Sequence, residues 1–151
     1  MRAIVQRVSS ASVTVDSSVV ASISRGLLVL VGVAEGDTGQ DAEALASKIA
    51  AMRVFPDEEG RMNLSVDDVA GEVLVVSQFT LLADVRRGRR PSFARAADPE
   101  LARDLINQVS EFLIQGGIPV VEGRFGAKMS VALVNEGPVT IPIDTSNGKV
   151  L

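Results

Sequence analysis

The sequence predicts a mixed α/β fold of the order β-β-(β-α)2-β-β-β, with both helices packed on one side of a curved or layered sheet. Three observations predict it. Residues 27–33 and 73–76 are unbroken apolar runs, which suits strands buried on both faces. Each run is followed by a segment whose apolar residues recur at helical spacing. The two ends of the chain carry short apolar or alternating segments separated by turn residues, the pattern of further strands.

Residues 2–8 and 11–15 alternate apolar and polar side chains, as half-buried strands do. Val13 and Val15 share one face, Ser12 and Thr14 the other. Asp16-Ser17-Ser18 is a turn signal, and 19–23 reads as the returning strand of a hairpin. After the run 27–33, Thr38 is placed to cap a helix, with Asp41 three residues later in a variant of the capping box. Leu45, Ile49 and Met52 give that helix its apolar face, and Pro56 and Gly60 bound its exit. The run 73–76 leads directly into Ser77-Gln78-Phe79-Thr80.

Asp98 caps the second helix, and Pro99 fills its first position, where a missing N–H costs nothing. Leu101, Leu105, Ile106, Val109, Phe112 and Leu113 form its apolar stripe, and Gly116-Gly117 ends it. Residues 118–121, 129–134 and 139–143 are the closing strands. Between the last two, Gly137-Pro138 is most simply a hairpin turn on local grounds. Pro142 marks the last strand as an edge or broken strand, because it cannot donate to a ladder. No repeat, low-complexity tract or linker interrupts the 151 residues, so a single domain over 1–151 is expected.

Composition excludes much chemistry. The chain has neither cysteine nor histidine, so a disulfide framework, thiolate chemistry and the common zinc and haem ligand sets are unavailable. Ser–His–Asp and Cys–His nucleophile arrangements fall with them. No tight Asp/Glu constellation suggests a carboxylate-held Mg²⁺, and neither a metal nor a cofactor is expected. An enzyme built from this chain would use hydroxyls, carboxylates, Lys or Arg, backbone dipoles, or a group that the substrate brings.

The first eight residues lack the apolar core of a secretory signal, and the longest apolar run, 27–34, is too short to cross a bilayer. A cytoplasmic protein without a membrane partner is expected. The net charge of -4 argues mildly against nucleic acid. Arg86, Arg87, Arg89, Arg90 and Arg95 are a local exception, read either as a solvated loop or as a phosphate-binding patch for an RNA end.

Three segments are candidates for chemistry. Ser77-Gln78-Phe79-Thr80-Leu81 ends a buried strand, where α/β sheets tend to bind ligands. Its hydroxyls, amide and turning backbone suit a developing oxyanion, or they merely satisfy local backbone. Asn135-Glu136-Gly137-Pro138-Val139-Thr140 offers a glycine where another backbone or a ligand approaches closely. In Gly123-Arg124-Phe125-Gly126-Ala127-Lys128-Met129, Phe125 and Met129 form either an apolar clamp for a flat base or part of the core.

In these segments the sequence resembles the D-aminoacyl-tRNA deacylases, also called D-tyrosyl-tRNA deacylases. The resemblance covers essentially the whole chain, including 1–10, 26–33, Met62-Asn63-Leu64 and Arg89-Arg90-Pro91-Ser92-Phe93. Ser-Gln-Phe-Thr and Asn-x-Gly-Pro-Val-Thr are specific in combination, though neither is alone. Departures are Glu136, where Asp is commoner, Leu82, where an aromatic is common, and Pro142.

The resemblance implies a homodimer with active sites at the subunit interface. A cis Gly137-Pro138 would reach into the other subunit's pocket, its carbonyls holding the amino group of a D-residue and leaving no room for an L side chain. Ser77, Gln78, Phe79 and Thr80 would line the ester as the catalytic segment, and Phe125 and Met129 would seat the terminal adenosine. The implied partner is D-aminoacyl-tRNA, not DNA, and the reaction is hydrolysis of the ester to the 3′ adenosine, with glycyl esters left open. Arg86 and Arg87 are the candidate RNA-phosphate contacts. Since no histidine can serve as base for Thr80 or Ser77, direct attack by water is favoured, with backbone N–H groups near Phe79 and Thr80 stabilising the oxyanion and the substrate 2′-hydroxyl assisting. A non-catalytic RNA-end-binding dimer and a small-molecule esterase or amidase are the alternatives.

Overall fold

In the computed structural model, which describes residues 1–151, the two alternating segments at the start form one strand, β1 (Arg2–Val15). β2 (Ser18–Ile23) and β3 (Gly26–Gly32) follow. Both pair antiparallel with the same edge of β1: Ala3 opposite Val31 and Val8 opposite Gly26 in its first half, Ala11 opposite Ile23 and Val15 opposite Ser18 in its second. Asp16 and Ser17 take left-handed conformations in the two-residue turn, the backbone that a tight hairpin requires.

α1 (Gly39–Ala51) starts at the expected cap. The Asp41 carboxylate accepts the Thr38 backbone N–H at 2.9 Å and the Thr38 hydroxyl at 3.1 Å. Leu45 and Ile49 are fully buried, whereas Met52 lies just past the last turn. The exit from the helix holds two elements that sequence patterning did not predict: β4 (Phe55–Pro56) and β5 (Met62–Leu64), a separate two-stranded sheet. Asp57 closes the turn between them, accepting the N–H groups of Glu59 and Arg61.

β6 (Glu72–Ser77) lies parallel to β3, with Leu27 opposite Val73 and Val31 opposite Ser77. The two strands approach so closely at their start that a Cβ on Gly26 would lie 1.9 Å from the Glu72 carbonyl oxygen. α2 (Pro99–Gln115) begins where Asp98 accepts the N–H groups of Glu100 and Leu101 at 3.0 and 3.1 Å. Leu105, Ile106, Val109 and Leu113 are buried, but Leu101 and Phe112 at the margins of the stripe are not. β7 (Val120–Glu122) then adds parallel to β6.

The closing strands differ from expectation. The segments 129–134 and 139–143 are one strand, β8 (Ser130–Ser146), and Gly137-Pro138 is not a hairpin turn. Both halves pair antiparallel with the remaining edge of β1: Thr140 lies opposite Gln6 and Asn135 opposite Val8. Residues 136–139 therefore face Arg7 alone and bulge out of the ladder. β9 (Lys149–Val150) returns on the end of β8 through Asn147 and Gly148, both at positive φ. The sheet order is β7-β6-β3-β1-β8-β9, with β2 beside β1. β8 is paired on its outer side only at Thr145 and Ser146, so Pro142 sits on an edge as its missing N–H requires.

The sheet carries a core on each face. Leu27, Val29, Val31, Val73 and Val75 pack under the helices with Leu45, Ile49 and Val109. Leu28, Leu74 and Val76 point the other way, against Val8, Val13, Val15 and Ile23 of the curled β1–β2 hairpin. This is why 27–33 and 73–76 are apolar at every position: alternate residues enter different cores. No helix is long and apolar enough to cross a membrane.

Asp41 joins two distant parts of this frame. It is almost fully buried, and besides Thr38 it accepts the N–H of Gly148 at 2.9 Å in the β8–β9 turn. Burial alone would raise its pKa, but the hydrogen bonds from Gly148 and Thr38 outweigh burial and hold it below the ordinary carboxylate value. A folded-state pKa below the unfolded one stabilises the protein above about pH 4 and ceases to do so as pH falls through the folded value. Asp41→Asn should cost about 2 kcal/mol at pH 7 in urea unfolding. The gap to the parent should shrink as the pH is taken down towards 3; a gap that stays constant would mean that the carboxylate charge plays no part.

Candidate active site

Strands β3 and β6 end side by side, and the chain leaving β6 turns at Gln78 into a single 3-10 turn, Phe79–Leu82. The turn sits directly on β3. A Cβ on Gly32 would lie 2.4 Å from the Leu82 side chain and 2.9 Å from the Gln78 carbonyl oxygen. A cavity of about 520 Å³ opens at these strand ends. Val31, Val33 and Val76 contribute from the sheet, Ala102 and Ile106 from α2, and Phe125 and Met129 from the segment between β7 and β8. Small side chains, Ala96, Ala97 and Ala102, leave the room. The polar groups of the wall are at the end formed by Ser77 and Gln78, so the cavity is an apolar slot with a polar end.

Of the residues singled out from sequence, Ser77, Gln78, Phe79, Phe125 and Met129 meet in this cavity. Phe125 and Met129 are only half buried and also touch the two cores, so the clamp and core readings both describe them. Gly123 seats Met129: a Cβ there would meet its sulfur at 2.8 Å. Thr80 is exposed and stands outside the cavity wall, with its hydroxyl accepting from the Gln78 side-chain amide. Phe79 is 57% exposed and meets Phe93 edge-to-face, ring centroids 4.9 Å apart. That contact ties the turn to the arginine-rich loop, which Asp84 and Ser92 close by exchanging backbone hydrogen bonds of 2.8 and 2.9 Å.

Within that loop the two candidate arginines differ. Arg86 is clamped by Asp84, Nε lying 2.9 Å from one carboxylate oxygen and 3.1 Å from the other. These hydrogen bonds hold the Asp84 carboxyl far below the usual carboxylate range. Arg87 is exposed and has no ion-pair partner.

Gly137 and Pro138 are elsewhere. They are exposed on the β8 bulge and take no part in the cavity wall of their own chain. The peptide between them is cis, and Gly137 has φ +126°. A Cβ on Gly137 would lie 2.9 Å from Val139 Cγ2 and 3.0 Å from Arg7 Nη2. Asn135 and Thr140 close the base of the bulge: the Asn135 side chain accepts the Val139 N–H at 3.1 Å and donates to the Thr140 hydroxyl at 2.8 Å. This accounts physically for the Asn and Thr of the six-residue signature.

Arg7 supports the bulge from beneath, and sequence reasoning missed it. It is 8% exposed, donates from Nε to the Glu136 carbonyl oxygen at 3.2 Å and from Nη1 to the Val54 carbonyl, and faces Glu136 Oε2 at 3.2 Å. The signal was present. Ala3, Val5 and Arg7 fall on one face of an alternating strand, so a charge stands where the pattern demands burial.

A sequence profile described as D-Tyr-tRNA(Tyr) deacylase matches residues 4–144. A D-aminoacyl-tRNA deacylase of Roseiflexus castenholzii is 58% identical over 146 residues, 97% of this chain and 93% of the relative. One from Opitutus terrae is 60% identical over 149 residues, 96% and 97% of the two chains. A solved structure titled c-Myc DNA Unwinding Element Binding Protein superposes with a TM-score of 0.91 at 42% identity, covering 97% of this chain and 99% of that one. Another, titled Structural Analysis of a probable eukaryotic D-amino acid tRNA deacylase, has a TM-score of 0.77 at 18% identity over 93% and 97%, a likeness of fold. The chain belongs to the D-Tyr-tRNA(Tyr) deacylase family.

Proposed function

We propose that this protein is a cytoplasmic editing hydrolase that cleaves the ester between a D-amino acid and the 3′ adenosine of tRNA, and that it works as a homodimer. One observation carries the reading: Gly137 and Pro138 project from an edge strand and stand apart from the cavity of their own chain. A site that uses both must bring the bulge of one subunit to the cavity of the other, as a closed two-fold dimer does.

In this reading the adenosine lies against Phe125 and Met129, and the ester lies at Ser77, Gln78 and Phe79. The carbonyls of Gly137 and Pro138 accept hydrogen bonds from the ammonium of the D-residue; the L-isomer would drive its side chain into them. Water attacks the ester carbonyl carbon. The oxyanion is met by the N–H groups of Phe79 and Thr80, which open the 3-10 turn and so have no acceptor within it. As the intermediate collapses, the ester C–O bond breaks, and the proton given up by the attacking water passes through the neighbouring 2′-hydroxyl to the leaving 3′ oxygen. Thr80 receives a hydrogen bond from Gln78 and has no base beside it, which favours an orienting role over attack.

Selection by backbone carbonyls should be blind to the side chain. Single-turnover assays should find D-tyrosyl-, D-phenylalanyl- and D-aspartyl-tRNA all cleaved, with the L-esters spared. Gly137→Ala should cost roughly tenfold or more, since its methyl needs the space of Val139 and Arg7. Mixing Gly137→Ala subunits with subunits whose cavity is filled by Ala102→Phe should restore activity, because one site of each mixed dimer then carries neither change. Equal rates on D- and L-tyrosyl-tRNA would sink the whole reading, and absence of restoration would sink the cross-subunit gate.

Thr80→Ala tests the chemistry separately. Loss of one orienting hydrogen bond should slow the step roughly tenfold and leave D-selective hydrolysis measurable. A rate indistinguishable from uncatalysed hydrolysis, with binding intact, would instead make Thr80 the nucleophile.

Arg86 and Arg87 are proposed as RNA-phosphate contacts of unequal weight, because Arg86 must first leave Asp84. Arg87→Ala should lower the logarithmic salt slope of tRNA binding by about one, and Arg86→Ala by less. Fluorescence anisotropy across a salt series decides it; parent-like slopes for both would return the loop to a solvated surface.

A further inference from the structure

Two arginines in this protein rest on aromatic rings, and they differ in what the ring does. Arg25 lies 5.4 Å from the centroid of Phe55, a wholly buried core residue that does not line the cavity. Arg103 lies 5.0 Å from the centroid of Phe125, which is a wall of the cavity. Its neighbours Ala102 and Ile106 on α2 line the same cavity, so its guanidinium is held at the rim.

Arg103 is exposed and has no carboxylate partner, although Glu100 and Asp104 stand on the same helix. Arg2, Arg7, Arg61 and Arg86, by contrast, are all ion-paired. Arg124 and Lys128 flank the segment that bears Phe125 and are likewise exposed and unpaired. A protein of net charge -4 thus keeps three cations without ion-pair partners beside one wall of its cavity, apart from those of the arginine-rich loop. Stacking occupies one face of the guanidinium and leaves its N–H donors, which lie in the plane, free for a bidentate acceptor such as a phosphate.

We propose that Arg103, held over Phe125, binds the phosphodiester that leads into the terminal nucleoside of the substrate RNA. This rests on the reading of the cavity as the seat of that nucleoside. A base against Phe125 places its 5′ phosphate at the rim, where the fixed guanidinium meets it. Arg103 then acts on RNA binding and register, and the ester lies beyond its reach.

The test compares two substrates on the intact protein: D-tyrosyl-tRNA, and D-tyrosyl adenosine, which has no phosphate. Arg103→Gln should lower kcat/KM on the tRNA ester about tenfold, a loss about fivefold or more beyond that on the adenosine ester. It should also lower the logarithmic salt slope of binding uncharged tRNA by about one. Arg103→Lys should recover the salt slope but only part of the rate, because the charge returns without the planar fork. Equal losses on the two esters would overturn the proposal and make Arg103 a prop for Phe125; an unchanged salt slope would overturn it as well. If the unaltered protein cleaves neither ester, the deacylase reading fails, and the salt slope of uncharged tRNA still decides for or against Arg103.

Discussion

β1 and β8 run antiparallel along nearly their whole lengths, and that backbone ladder is the constraint on which the rest of the structure depends. β1 is long enough to serve both faces of the sheet. Its first half places Ala3 and Val5 under the helices, and its second half curls so that Val13 and Val15 cover Leu28, Leu74 and Val76 from the other side. A slip of one residue would exchange the inward and outward sets of the whole strand. The ladder survives four residues of β8 standing opposite one of β1 because pairing resumes on both sides of them, with Arg7 and Asn135 satisfying polar groups that the interruption frees. The Gly137-Pro138 bulge is thereby part of a strand and not a hairpin tip.

The cavity follows from the parallel half of the sheet. β3 and β6 stop together, and the 3-10 turn after Ser77 folds back over Gly32 with Phe79 in the cavity wall. α2 crosses this end with Ala102, so no large side chain fills the space. Apolar walls and a polar end favour a flat, largely apolar group with one polar terminus. Unpaired Arg103, Arg124 and Lys128 stand near the cavity, with the unpaired carboxylates Glu100, Asp104 and Glu122 on α2 and β7 close to them in the chain.

The absence of histidine and cysteine shapes the chemistry that such a site can perform. Without them, hydroxyls, carboxylates, Lys or Arg, backbone donors and groups of the substrate are the means left for hydrolysing an ester. In the proposed reading, carbonyls on a strand bulge would read the configuration at Cα, which the identity of the side chain does not alter.

Much of the fold is determined by the sequence alone, because the physics involved is local. The periodicity and caps of the two helices, with Asp41 reaching back to Thr38 and Asp98 beneath Glu100 and Leu101, lie within a few residues of each other. The runs at 27–33 and 73–76 are apolar throughout because two cores claim alternate residues, and Pro142 marks an edge because it has no N–H. What only the tertiary structure decided is how distant segments meet. Locally, Gly137-Pro138 is indistinguishable from a hairpin turn; it is a bulge because both flanking segments find the same partner, β1, more than a hundred residues away. β4, β5 and β9 are too short to carry a pattern and exist by their pairings. Arg7 becomes a support only when the bulge and Val54 are brought to it, and Thr80 leaves the cavity wall because the chain turns at Gln78. Periodicity and capping report which surfaces a segment must bury, but a contact between segments depends on register and on where each chain turns, and neither is written within reach of the residues that make it.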